Sequence, residues 1–270
     1  MFKEIKESAD YLQQKTNFTS TTGIVLGTGL GALVDEINVQ YEIPYEDIPH
    51  FPLSTVESHS GKLIFGTLEG VAVIVMQGRF HFYEGYSMNE VVFPIRVLKL
   101  LGVKNLFISN AAGGINPTFK KGDLCVIKDH INQFPGNPLI GKNIDELGGR
   151  FPDMSQPYAK KLVTQALEIG TNQNIPIKSG VYVGVPGPML ETAAEYKYLG
   201  IIGADLVGMS TVPEVIAAKH MDMNVFACSI VTDICYGEIQ EANIQDIITT
   251  AMKAEPALTL LFKSLIQVQN

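Results

Sequence analysis

Apolar runs too short to be helices alternate along this chain with longer amphipathic stretches, and that alternation restricts it to an α/β architecture. Phe2 to Lys15 has helical periodicity, and Gly23 to Leu26 reads as a short strand. Lys62 to Leu68 and Val71 to Met76 flank Glu69-Gly70, the mark of a hairpin turn. The pattern then predicts a helix from about Met88 to Leu101 and strands at Asn105 to Ser109 and Asp123 to Ile127. From His130 to Ser155 the chain is rich in Gly, Pro and Asn, and a loop of that length tends to be functional or interfacial. Helices at Tyr158 to Gln173, Glu191 to Leu199, Val212 to His220 and Ile244 to Ile266 interleave with strands at Gly180 to Val185, Asp205 to Val207 and Val225 to Val231. No linker, repeat or low-complexity segment appears. One domain spanning 1–270 is therefore expected, an αβα sandwich around a central mixed sheet.

Composition excludes several classes. A net charge of −8 argues against a nucleic-acid surface, which needs a basic patch. No apolar run approaches the ~20 residues of a membrane span, and Met1-Phe2-Lys3-Glu4 lacks a signal-peptide core. Cys125, Cys228 and Cys235 are odd in number and contain no Cys-x-x-Cys pair, which speaks for reduced, buried thiols rather than disulfides or zinc. A cytoplasmic protein is expected.

The residues that carry chemistry follow the apolar runs, where open α/β sheets bind ligands. Gln77-Gly78-Arg79-Phe80-His81-Phe82-Tyr83-Glu84-Gly85-Tyr86 packs a fixed cation, an imidazole, a phenol and a carboxylate into one stretch. Alternation with Phe80 and Phe82 puts Arg79 and His81 on one face of an extended chain. A guanidinium fork beside an imidazole suits a phosphate-like oxyanion. Singly, each would read as a surface arginine or a structural histidine; the cluster favours an anion site. Gly27-Thr28-Gly29-Leu30-Gly31 lets backbone N–H groups approach an anion, but its third glycine comes one position early for a dinucleotide fingerprint. His59, in Ser58-His59-Ser60-Gly61, could close over an anion or simply face water. Asn110-Ala111-Ala112-Gly113-Gly114 permits close backbone approach, or is only a tight turn. Glu191 is either a helix-dipole partner or an acceptor for ligand N–H groups, and Ser210 either a helix cap or an anion donor. Asp233 after the last strand is a candidate acid.

Three stretches together resemble the trimeric, low-molecular-mass purine nucleoside phosphorylases: Gln77 to Tyr86, Asn110 to Pro117, and Gly208-Met209-Ser210-Thr211-Val212-Pro213-Glu214. Similar pieces run from about Gly23 to the final helix. The resemblance implies phosphorolysis of purine nucleosides by inorganic phosphate, with no metal or organic cofactor. It implies phosphate contacts at Thr28, His59, Arg79, Asn110, Ala111 and Ser210, and a base pocket that includes Ala111, Glu191 and Val207. It implies ribose contacts from Tyr83 and Met209, and an orienting pair in His81 and Glu84. It also implies a homotrimer in which Phe151, in Arg150-Phe151-Pro152, covers a neighbour's ribose. The chain departs from the family pattern at three points: Asp233 replaces an asparagine, Ile244 a histidine, and Leu190 an aromatic residue. These bear on base preference rather than reaction type, with 6-oxopurines expected as main substrates and broadened 6-aminopurine activity. An NAD-dependent oxidoreductase, a nucleoside hydrolase and a non-catalytic binding protein are the alternatives; turnover that depends on added phosphate separates them.

Overall fold

The computed structural model describes residues 1–27, 30–53, 61–239, 241 and 243–269. Its centre is a mixed sheet of nine strands: β1 (Thr22–Leu26), β2 (Asn38–Pro44), β3 (Lys62–Leu68), β4 (Val71–Gln77), β5 (Asn105–Gly114), β6 (Leu124–Asn132), β7 (Ile177–Gly184), β8 (Leu206–Gly208) and β9 (Asn224–Ile234). They run in the order β2-β3-β4-β1-β5-β8-β7-β6-β9, and β9 returns to pair with β5. The sheet is thus open at the β2 edge and closed at the other end into a ring of five strands.

Strands buried on both faces read as unbroken apolar runs, and side-chain alternation divides them between two cores. Val25, Ile74 and Met76 point to a core closed by α1 (Phe2–Thr16), α3 (Phe93–Leu100) and α6 (Val212–His220). Ile24, Leu26, Val73 and Val75 point to the opposite core, under α4 (Lys160–Asn172) and α7 (Ile244–Gln267). The αβα sandwich is as expected. The Glu69-Gly70 hairpin is present too, with both residues at positive φ (51° and 78°), the conformation that matches the twist of the strands it joins.

Several boundaries differ from the sequence reading. The helix expected over Met88 to Leu101 is two, α2 (Met88–Val91) and α3, because Pro94 lacks an N–H and its ring opposes the carbonyl four residues back. β2 escapes the periodicity argument: all but one of its side chains are exposed, it carries a bulge between Val39 and Tyr41, and Pro44 ends it, all tolerated on an edge. β5, β6 and β9 each run past their expected ends, and β7 begins three residues early. The loop expected from His130 therefore starts after Asn132. The helix expected from Glu191 is α5 (Ala193–Ile201), capped by Thr192, which leaves Glu191 in the loop before it.

These extensions build the site. β4, β1, β5 and β9 are mutually parallel, so their carboxyl ends share one side, and β8 meets β5 at Gly113 and Gly114. Gly27 follows β1 there, and a Cβ on it would stand 2.8 Å from the Ser109 carbonyl oxygen and 2.9 Å from Asn110 Cα. Only glycine lets the two strands approach so closely.

Candidate active site

A cavity of about 290 Å³ opens where those strands end. At one pole stands Arg79, 1% exposed, just beyond β4. Its Nη1 donates to the Ser109 carbonyl at 2.9 Å and to Ser210 Oγ at 3.1 Å, while Nε lies 3.2 Å from Glu214 Oε1. Nη2 has no hydrogen-bond partner among the described residues. Arg79 therefore offers an oxyanion only part of the fork expected of it, because Glu214, equally buried on α6, holds the opposite edge. A buried guanidinium without such a partner would carry a severe desolvation cost.

Ser210 and Asn110 meet at a strained turn. Thr211 sits at φ 65°, ψ −55°, and Val212 N donates to Ser210 O at 2.7 Å, closing a γ-turn of the rare positive-φ kind. A β-branched residue adopts this only where its surroundings over-determine it. Here Asn110 Nδ2 donates to Thr211 Oγ1 at 2.9 Å, Ser210 Oγ lies 3.2 Å from the same atom, and the Tyr182 hydroxyl accepts from Ser210 N at 3.4 Å. The turn aims the Ser210 hydroxyl toward Arg79 and the cavity. Beside it, His81 Nδ1 and the His81 backbone N both contact Glu84 Oε1, at 2.9 and 2.7 Å. His81 and Glu84 are thus in contact, with Glu84 behind the histidine rather than lining the cavity. Tyr83 stacks on the His81 ring at 4.7 Å, and burial with the Glu84 charge pushes its phenol up to about 12, so it is a neutral donor.

The other pole carries two carboxylates. Glu191 is raised above its ordinary value chiefly by burial, with Asp233 adding to the shift and Tyr196 opposing it. Asp233 reaches the cavity through a bulge: β9 pairs Val231 with Ala112 and Asp233 with Gly113, leaving Thr232 as the extra residue. The bulge turns adjacent Thr232 and Asp233 toward the same space. Thr232 Oγ1 donates to Asp233 Oδ1 at 2.8 Å and Cys235 Sγ to Oδ2 at 3.2 Å, so this carboxylate is dressed as an acceptor. Ala111, Val207 and Met209 wall the space between the poles, and Leu190 and Ile244 stand at its mouth, 37% and 60% exposed.

The sequence matches the family model described as the phosphorylase superfamily over residues 21–267. The chain belongs to that superfamily. It is 48% identical to purine nucleoside phosphorylase 1 of Bacillus subtilis over 98% of both chains. It is 47% identical to purine nucleoside phosphorylase 1 of Geobacillus stearothermophilus over 97% of this chain and 96% of that one. Purine nucleoside phosphorylase of Schistosoma mansoni, solved with adenosine and with inosine, superposes with a TM-score of 0.93 at 42% identity, covering 98% of this chain and 96% of the other. The family resemblance carried by the three motifs is borne out, and within the superfamily this is a purine nucleoside phosphorylase sequence over 98% of its length.

Of the residues singled out in this phosphorylase from sequence, Arg79, His81, Tyr83, Asn110, Ala111, Leu190, Glu191, Val207, Met209, Ser210, Asp233 and Ile244 line one cavity. Thr28 and His59 lie outside the described residues. Phe151 lies away from the cavity, 91% exposed in the loop between β6 and α4, with the Arg150 guanidinium 5.7 Å from its ring centre. Ala112 and Gly113 of the Asn110 motif, Gly208 of the third motif and Thr232 beside Asp233 also line the cavity, as do Ile247 and Ile248, which were not singled out. Ile247 and Ile248 follow Ile244 at three and four residues, a spacing that puts them on its helix face and was there to be read. Glu214 had a signal too: an acid among Val212, Val215 and Ile216 on a buried helix needs a cation. Nothing in the sequence marks the bulge at Thr232.

Proposed function

We propose that this chain, acting as one catalytic domain, carries out reversible phosphorolysis of purine ribo- and deoxyribonucleosides, giving free purine and (deoxy)ribose 1-phosphate. The observation that supports it is a single cavity with an anion pole at Arg79, Asn110 and Ser210 and a carboxylate pole at Glu191 and Asp233. Phosphate at the first pole attacks the anomeric carbon while the glycosidic bond breaks, and the purine leaves with the bonding pair. Holding the nucleophile against the sugar face removes the entropy of bringing them together. The phosphate charge also stabilises the oxocarbenium character of the ribose. Thr28 and His59 complete the phosphate shell in this reading. Tyr83 and Met209 position the ribose, and Glu191 accepts from purine N–H groups. Inorganic phosphate is a co-substrate, and the reaction uses neither a metal nor an organic cofactor.

Base preference follows from Asp233 and Ile244. An ionised aspartate accepts from a 6-amino group, whereas asparagine donates to O6. The Schistosoma mansoni relative, solved with both adenosine and inosine, supports a pocket that takes either edge. We assign 6-oxopurines as the main substrates, with more adenosine or 5′-methylthioadenosine cleavage than relatives bearing asparagine and histidine at these positions. Phe151, exposed and outside its own cavity, is assigned to a neighbour's ribose site in a cytoplasmic homotrimer. No helix among the described residues is long and apolar enough to cross a membrane.

Inosine, guanosine, adenosine and 5′-methylthioadenosine, each assayed with and without phosphate, test the proposal. Base release that requires phosphate is expected, inosine and guanosine leading. Equal release without phosphate would identify a hydrolase, and no release from any of the four would overturn the assignment.

A further inference from the structure

Beneath the purine pole lies a cysteine that the reaction above does not use. Asp233 and Cys235 sit two residues apart on β9, and Cys235 Sγ donates to Asp233 Oδ2 at 3.2 Å. At their level β5 carries Gly113, where a Cβ would stand 2.6 Å from Cys235 Sγ and 3.1 Å from Asp233 Oδ2. The thiol–carboxylate contact thus depends on a glycine opposite it. From α5, Tyr196, 5% exposed, packs with Cys235 in one buried cluster. Asp233, Cys235 and Tyr196 therefore pack together behind the wall of the cavity. Cys235 is 3% exposed and does not line the cavity, so it cannot touch a substrate.

We propose that Cys235 is a positioning residue for purine recognition: its donation to Oδ2 fixes Asp233 as an acceptor toward the base, with Tyr196 packed beside the thiol. The inference rests on the phosphorolysis proposed above and adds a determinant of base preference to it. Thr232 alone can hold only Oδ1, and its single proton also has the Ala112 carbonyl, 3.3 Å away, as a competing acceptor. Burial, reinforced by the charge of Asp233, keeps the thiol protonated and so available as a donor. Without that donor the carboxyl is free to rotate, and its acceptor oxygen is no longer held toward a 6-amino group.

The test compares Cys235→Val, which keeps the bulk and loses the donor, with Cys235→Ser, which keeps a donor. The inosine-to-adenosine ratio of kcat/KM is expected to rise about tenfold in Cys235→Val, the worth of one hydrogen bond to a charged group, and to stay within about twofold of the parent in Cys235→Ser. The phosphate KM should be unchanged in both, which a general loosening of the site would not allow. Should Cys235→Val not fold, Cys235→Ala takes its place; should adenosine turnover fall below detection, binding of hypoxanthine against adenine gives the same ratio. A parent enzyme that turns over while the valine variant keeps its ratio, or valine and serine variants that shift alike, would overturn the positioning role alone. A parent that releases no base with phosphate would instead overturn the phosphorolysis.

Discussion

The two poles of the cavity are built in opposite ways. Around the anion pole the side chains are sealed: Arg79 and Asn110 are 1% exposed and Thr211 fully buried. Each is held by backbone or by another buried group, and the strained turn at Thr211 persists because its partners leave it no alternative. Around the purine pole, Leu190 and Ile244 stand partly in water, and Glu191 lies in a loop before its helix. A reaction that always uses the same small oxyanion gains from rigid, preorganised donors, since they need not reorganise as charge shifts. In the proposed function, recognition of variable bases falls to segments that can change without disturbing the sheet.

The largest effect that would test this contrast is at Arg79. Arg79→Ala should cost about 3–5 kcal/mol in urea unfolding, because it strands buried Glu214, and should abolish saturation by phosphate at ordinary concentrations. Adding Glu214→Ala should restore much of the stability and none of the phosphate binding. Unchanged phosphate saturation in Arg79→Ala would move the anion pole elsewhere. Asp233→Asn comes next, acting on specificity with little effect on stability: preference for inosine and guanosine over adenosine should sharpen by roughly tenfold, one hydrogen bond to the base edge. Phe151→Ala should raise the nucleoside KM by roughly fivefold, an apolar contact worth ~1 kcal/mol, while the unfolding midpoint stays put. Activity should also fall on dilution as oligomers dissociate; a monomer that is fully active by light scattering under assay conditions would refute the shared site. The smallest effect is in pH. Glu191 must be ionised to accept from the purine, and burial raises its value above the ordinary carboxylate range. As pH falls, kcat/KM for the nucleoside should therefore drop earlier than an ordinary carboxylate would dictate, and Glu191→Gln should flatten that limb. A limb that survives in Glu191→Gln belongs to another group.

Alternating apolar runs and helical stretches, legible without coordinates, determined the α/β class and the placement of Arg79, Asn110, Ser210 and Asp233 after apolar runs. These are local properties, set by side-chain period and by where apolar character stops. The early glycine turn, the hairpin at Glu69-Gly70 and the grouping of Arg79 with His81 and Tyr83 belong to the same class of information. What only the tertiary structure decided is where each strand ends and what each polar group faces. β5 continues to Gly114 because β8 and β9 pair with it there, an arrangement no property of Asn110 to Gly114 announces. The bulge at Thr232 comes from a register shift between two strands, and register is a relation between segments rather than a property of one. Glu214 neutralises Arg79 across more than a hundred residues of chain, and Thr211 holds a conformation that its own side chain disfavours. Local pattern specifies elements; the chemistry of this site arises where elements distant in sequence are forced into contact, because buried charges and strained backbone are stable only with partners that the fold supplies.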